Sequence, residues 1–125
     1  MNLNESSSFI IGTREVSRSA SPYLIAEIGT NHNRNLDTAK QLISLAKSSG
    51  FDAIKFQIYE PSEIVAPSVR TTDYSLQNSY GDITAQEMFG SYLQTPKEWF
   101  PSLIDYCHHL DLHVGTTIHS RTVLS

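Results

Sequence analysis

Three polar side chains stand out because they interrupt two otherwise apolar runs. Glu27 closes Tyr23-Leu24-Ile25-Ala26-Glu27-Ile28-Gly29, while Lys55 and Gln57 alternate with apolar residues in Ala53-Ile54-Lys55-Phe56-Gln57-Ile58. A charge inside an apolar segment is costly unless it is paired or solvated. A carboxylate in such a place accepts hydrogen bonds from hydroxyl groups, a compact ammonium pairs with phosphate, and a primary amide can donate or accept. Opposite charges on neighbouring strands can equally form a structural ion pair, and the residues alone leave both readings open. Asn31 and His32 follow the first run after Thr30. They are either pocket residues or residues that shape a turn.

The elements that must position these groups follow from periodicity. Both runs have the length and composition of strands, and the first reads as a strand buried on both faces. Side chains alternate along a strand, so Tyr23, Ile25 and Glu27 share a face, as do Ala53, Lys55 and Gln57. The remaining faces are entirely apolar and must pack against helices. Between the runs, Leu36, Ala39, Leu42, Ile43 and Ala46 recur at helical spacing, with Asn35 as N-cap, Asp37 in the first turn and Gly50 closing the helix. Strand, helix and strand make a βαβ unit, which requires parallel strands and sets Glu27, Lys55 and Gln57 near their C-terminal ends. Ligands bind at that end in α/β barrels and open parallel sheets.

Around this unit the pattern is clear in places and weak in others. Phe9 to Val16 reads as a hairpin turning at Gly12. Residues 59–83 carry Pro61, Pro67 and Gly81 with little periodicity, and are expected to form a long loop without regular structure. Ala85 to Leu93 is expected to be a short helix. Thr95-Pro96-Lys97-Glu98 matches a capping box, with Thr95 as cap and Pro96 at the first helical position. Trp99, Leu103, Ile104, Cys107 and Leu110 form one apolar stripe, and His113 to Ile118 reads as a third strand. Ser120 is expected to cap a further helix. Residues 1–8, polar and serine-rich, are expected to be loosely ordered.

Composition narrows the function classes. A net charge of −4 with scattered basic residues argues against nucleic-acid binding. No apolar run approaches the ~20 residues of a membrane helix, and the first ten residues lack the pattern of a secretory signal. The single cysteine, Cys107, cannot form an internal disulfide and fits a reducing, cytoplasmic setting. It lies on an apolar stripe and reads as packing. His108, His109 and His113 lack zinc-site spacing and read as surface or packing residues. Trp99 and the tyrosines at 74, 80, 92 and 106 are either sugar-stacking groups or anchors of core and loops.

The motif pair IAEIGTNHN and IKFQ resembles the opening of the sialic-acid synthase family, approximately IAEIGxNHxG followed by KFQ. The resemblance reaches back to Ile11-Gly12-Thr13-Arg14 and forward through TPKEW to the third strand, covering nearly everything from Phe9. It implies the first part of an α/β (β/α)8 TIM barrel, an N-terminal hairpin followed by β-α-β-α-β, which is incomplete because a whole barrel takes about 250 residues. It implies condensation of phosphoenolpyruvate with an N-acetylated amino sugar, N-acetylmannosamine or a relative, to a nine-carbon 2-keto acid. Matched residue by residue, Lys55 corresponds to the lysine at the phosphoenolpyruvate phosphate, and Glu27 to the acid that meets the amino sugar near the reacting carbon. These two are the catalytic candidates. Gln57 corresponds to a polar residue lining the sugar pocket, and Thr117 falls near a third-strand threonine at the phosphate. Asn31 and His32 lie at the same mouth as substrate-binding candidates.

The chain also departs from the family pattern. Arg34 replaces the glycine after NHx, and Thr116-Thr117-Ile118-His119-Ser120 lacks the proline and phenylalanine of the third-strand signature. TPKEW leans towards the branch acting on doubly modified amino sugars. The resemblance implies a divalent manganese or magnesium ion held by histidines on later strands, so none is expected to be held by residues 9–125 alone. Three strands cannot close a barrel, so the third should expose an unpaired edge, through which a homo-oligomer can form. The expected function is therefore that of an N-terminal synthase segment, inactive alone. The alternatives are a non-catalytic remnant that binds sugar or a partner, and an aldolase-type enzyme with Lys55 as Schiff-base nucleophile.

Overall fold

The computed structural model describes residues 7–119. The chain begins with an antiparallel hairpin, β1 (Phe9–Ile11) and β2 (Arg14–Val16). A three-stranded parallel sheet follows in the order β3 (Ile25–Glu27), β4 (Ala53–Ile58), β5 (His113–Ile118). Helix α1 (Leu36–Ser48) connects β3 to β4, and α5 (Phe100–His109) leads into β5. The architecture is α/β, as expected.

The outer face of the sheet makes the core. Ile28, Ile54 and Phe56 pack against Ala39, Ile43 and Ala46 of α1 and against Leu103 and Cys107 of α5, with Leu112 completing the cluster. Phe56 meets Phe100 edge-on at 5.8 Å. Each fully buried large side chain contributes about 1.5–3 kcal/mol, so this layer holds the strands in place. Both ends of α1 form as the sequence reads. The Asn35 side chain accepts from the Thr38 amide at 2.9 Å. At the other end, Gly50 takes a positive φ of 85° while its amide and that of Phe51 reach back to Lys47 and Ala46. That is a Schellman closure, and the left-handed residue suits glycine.

The hairpin is fastened across the N-terminal end of the parallel sheet. Arg14 pairs with Asp52 at 3.2 Å, and Asp52 also accepts from the Leu24 amide at 2.8 Å. His113, on β5, bonds to the Tyr23 hydroxyl at 2.5 Å and packs beneath Gly12. The inner face of the sheet, which carries Glu27, Lys55 and Gln57, is thus left open at its C-terminal end.

Three expectations are corrected. The first strand is shorter than Tyr23–Gly29 and is not buried on both faces: Ile25 is 54% exposed and Leu24 is also exposed. The reason is that β3 is a sheet edge, and the hairpin covers the inner face only at its N-terminal end, over His113. Residues 59–83 are not structureless. They hold α2 (Pro61–Ile64), a 3-10 turn at Thr71–Tyr74 and α3 (Gln77–Tyr80). The buried Thr71 hydroxyl donates to the Gly81 carbonyl at 2.7 Å, and Arg70 pairs with Asp82 at 2.9 Å. These contacts are polar and close over ten or so residues, so hydrophobic periodicity does not register them. Third, Thr95 is no helix cap. A 3-10 turn at Lys97–Trp99 precedes α5, its cap position is Pro96, and Thr95 turns inward. The helix expected at Ala85 to Leu93 is present as α4 (Ala85–Met88) running into a π turn at Phe89–Leu93. The helix expected to begin at Ser120, and all but Ser7 and Ser8 of the loosely ordered N-terminus, lie outside the described residues.

Candidate active site

The register of the sheet brings the predicted side chains together. Glu27 is paired with Lys55 across β3 and β4, and Gln57 with Thr117 across β4 and β5. Because alternate residues share a face, Glu27, Lys55, Gln57 and Thr117 all lie on the inner side, towards the C-terminal ends of the strands. Lys55 Nζ lies 2.6 Å from Glu27 Oε2, and Gln57 Nε2 donates to Glu27 Oε1 at 3.2 Å. Both oxygens of one carboxylate are therefore engaged, one by an ammonium and one by an amide.

Exposure decides how to read this pair. The side chains of Lys55 and Glu27 are 42% and 41% exposed. Ion pairs with this much solvent contribute at most about 1 kcal/mol. The pair is too weak to be an important structural tie, and it can open for a ligand at small cost. The cluster offers a cation for a phosphate and a carboxylate and amide for hydroxyl groups.

The glycine after the first strand is part of the same construction, although the sequence reading assigned it no role. A Cβ on Gly29 would lie 2.7 Å from both Glu27 Oε1 and Gln57 Cδ. Glycine leaves the carboxylate and the amide room in this arrangement, and a larger residue would make them shift.

Asn31 and His32 part company. Asn31 is exposed, and its amide reaches back to the Glu27 carbonyl at 3.4 Å. His32 is completely buried. Its Nε2 lies 2.8 Å from Thr95 Oγ1, its Nδ1 accepts from the Arg34 amide at 3.1 Å, and Trp99 packs edge-on at 5.6 Å. Thr95 Oγ1 in turn donates to the Gly29 carbonyl at 3.1 Å. With its only proton committed, Thr95 must accept from His32, which fixes the ring as the neutral tautomer protonated at Nε2. Burial lowers the His32 pKa, with the Arg34 charge acting in the same direction. His32 and Trp99 thus anchor the loop after β3 from behind.

Arg34 occupies left-handed backbone, with φ 48° after Asn33 at 51°. This is the backbone that favours glycine, which explains why the sialic-acid synthase pattern carries one here. The Arg34 guanidinium donates to the Gly90 carbonyl, tying the loop to the π turn. Nearby, Tyr59 is buried and its hydroxyl has no hydrogen-bond partner among the described residues, and burial pushes its pKa up to about 12. The remaining candidates lie away from the cluster. Cys107 is in the core and its thiol is pushed up to about 11 by burial. His108 and His109 are exposed at the end of α5, and His113 is engaged with Tyr23 at the opposite end of the sheet. Among the described residues, no three His, Cys, Asp or Glu side chains converge as metal ligands.

The model of the NeuB family matches residues 42–125. The chain belongs to the NeuB family. It is 38% identical over 79 residues to the N,N'-diacetyllegionaminic acid synthase of Legionella pneumophila, covering 63% of this chain and 22% of that protein. Identity to the spore coat polysaccharide biosynthesis protein SpsE of Bacillus subtilis is 33% over 112 residues, covering 88% of this chain and 28% of that one. The crystal structure of SpsE superposes with a TM-score of 0.63 over 93% of this chain and 29% of its own. The N-acetylneuraminic acid (sialic acid) synthetase of Leptospira borgpetersenii shares the fold, with a TM-score of 0.69 at 21% identity over 95% of this chain and 36% of its own. This NeuB-family chain thus spans only part of the relatives it matches, 22% of the Legionella synthase, 30% of the Helicobacter pylori pseudaminic acid synthase and 36% of the Leptospira synthetase.

Proposed function

We propose that this chain forms the opening part of a sialic-acid-type synthase barrel, holding one side of the site where phosphoenolpyruvate condenses with an N-acetylated amino sugar. The observation that carries this reading is the Glu27, Lys55 and Gln57 cluster, half-exposed at the C-terminal ends of two parallel strands. Lys55 releases Glu27 and takes the phosphate, for which a doubly charged group with three acceptor oxygens competes well against one carboxylate. The freed Glu27 carboxylate then accepts from a sugar hydroxyl, with Gln57 holding its other oxygen and Asn31 at the rim. Thr117, next to Gln57 on β5, adds a hydroxyl on the phosphate side. Ile25, the exposed apolar residue of the inner face, is a residue that further barrel strands would cover.

The residues described here do not fit a divalent ion. Glu27 is the one carboxylate of the cluster, and both of its oxygens are already engaged by Lys55 and Gln57. The manganese or magnesium implied by the sialic-acid synthase resemblance belongs, in this reading, to residues on later strands. A Schiff-base role for Lys55 is disfavoured, since that chemistry calls for a desolvated amine beside a cation or in an apolar pocket. Lys55 is instead half-exposed and held by a carboxylate.

Calorimetric titration of the purified chain tests the proposal. Phosphoenolpyruvate should bind to the wild-type chain and fail to bind Lys55→Ala, while Glu27→Gln should weaken N-acetylmannosamine and leave phosphoenolpyruvate bound. No phosphoenolpyruvate binding by the wild-type chain would overturn it. The accompanying claim of incompleteness is refuted if the chain alone, with both substrates and manganese, turns over at ordinary rates, which for enzymes lie at roughly 1–1000 per second.

A further inference from the structure

Residues 94 and 95 join the two strands that carry the cluster. Gln94 Nε2 donates to the Tyr59 carbonyl, just beyond β4, at 2.8 Å, and Thr95 Oγ1 donates to the Gly29 carbonyl, just beyond β3, at 3.1 Å. Both tethers come from a segment more than thirty residues downstream of β4 and more than sixty downstream of β3. Thr95 is 2% exposed and receives the Nε2 proton of the fully buried His32, so its hydroxyl cannot rotate away from Gly29 without stranding a buried donor. Gly29 is the residue where an added Cβ would lie 2.7 Å from Glu27 Oε1 and Gln57 Cδ, so the placing of its backbone sets the space left to both groups. The line of support therefore runs from His32 through Thr95 to the Gly29 backbone, two residues beyond Glu27 and beside the space that its carboxylate and the Gln57 amide occupy.

We propose that Thr95 is a positioning residue for the Glu27, Lys55 and Gln57 site, acting through the Gly29 carbonyl, with Gln94 holding the end of β4 in the same way. The excursion between β4 and α5 thereby acts as a brace across the site. Its two polar tips set the spacing between the carboxylate on β3 and the ammonium and amide on β4. The brace rests on the reading that this cluster meets the substrates, and its test separates the two.

The test compares Thr95→Val, which keeps the shape and loses the hydroxyl, with Thr95→Ser, which restores it, and with Ser44→Ala. The last removes the 2.8 Å bond to the Tyr106 hydroxyl and serves as a control for general loosening. Without ligand, carbon and nitrogen NMR shifts of the Glu27 carboxyl and the Gln57 side-chain amide should move in Thr95→Val, return in Thr95→Ser and stay put in Ser44→Ala. The His32 Nε2 resonance should move with them. Phosphoenolpyruvate affinity should fall about tenfold in Thr95→Val alone, the effect of losing roughly one hydrogen bond's worth of positioning. Should Thr95→Val fail to fold, Gln94→Ala reads the same brace from the β4 side, through the Gln57 amide. Unchanged Glu27 and Gln57 resonances in these variants, or equal changes in Ser44→Ala, would overturn the brace. Resonance changes in Thr95→Val, together with a wild-type chain that binds no phosphoenolpyruvate, would leave the brace standing and remove the function it serves.

Discussion

Gly29 concentrates the problem that the site solves at the level of single residues. A methyl group there would sit 2.7 Å from the Glu27 oxygen and from Gln57 Cδ, well inside contact distance. Gly29→Ala is therefore expected to push Gln57 off the carboxylate, at a cost of no more than about 1 kcal/mol because the groups in the way are the movable ends of solvent-accessible side chains. Urea unfolding gives the cost, and the Gln57 side-chain amide resonance reports the displacement. An alanine variant with wild-type stability and an unmoved amide would show that the close approach is not needed. His32 makes a prediction about pH. Its folded pKa lies below the ordinary 6.5, so below that pH the unfolded chain binds a proton that the folded ring refuses. The stability contributed by neutral His32 is fully present above pH 6.5 and is lost as pH falls through the folded midpoint, with a slope of up to about 1.4 kcal/mol per pH unit. Denaturant midpoints measured between pH 7.5 and 5.5 should fall in the wild-type chain and fall less in His32→Gln. Equal slopes would contradict the assignment.

Elements formed where local chemistry and hydrophobic period agree. Helix α1 has a side-chain cap at Asn35, an apolar stripe and a glycine beyond its end, and all three are in place. Replacing the cap in Asn35→Ala should cost about 1 kcal/mol, measured by urea unfolding, because the Thr38 amide loses its partner. No change would mean that water serves that amide equally well. The strands β4 and β5 were legible to the residue, β4 from its apolar face at period two and β5 from its run of β-branched residues beyond the helical stripe. What the sequence hid was polar and non-local. Thr95 matches a helix cap in its own neighbourhood, yet its partners His32 and Gly29 are 63 and 66 residues away. Thr71 likewise organises its loop with bonds to the carbonyls of Gly81 and Ile83. A Thr-Pro or Arg-Thr pair carries no periodic signal that announces such contacts. In hindsight, a buried histidine needs two polar partners, and that demand is the one clue to Thr95.

At the scale of the molecule, the parallel order β3-β4-β5 assembles the site from segments that are distant in the chain. The alternation of side chains predicts that Glu27, Lys55 and Gln57 share a face, and the register places them side by side. The sequence could not reveal that Lys55 and Gln57 both turn to a single carboxylate, nor that His32 points away from the mouth into the core. Those outcomes depend on rotamers and on packing from the excursion after β4. The hairpin closes the N-terminal end of the sheet through Arg14 and Asp52, leaving the C-terminal end as the open side. The central claim is that this open side exchanges its internal ion pair for a phosphate. It is tested most directly by following the Lys55 ammonium nitrogen and the Glu27 carboxyl carbon by NMR while phosphoenolpyruvate is added. Both signals should move together along one saturable curve, with Lys55→Ala abolishing the change at Glu27. Signals that stay fixed while phosphoenolpyruvate perturbs residues elsewhere would contradict it.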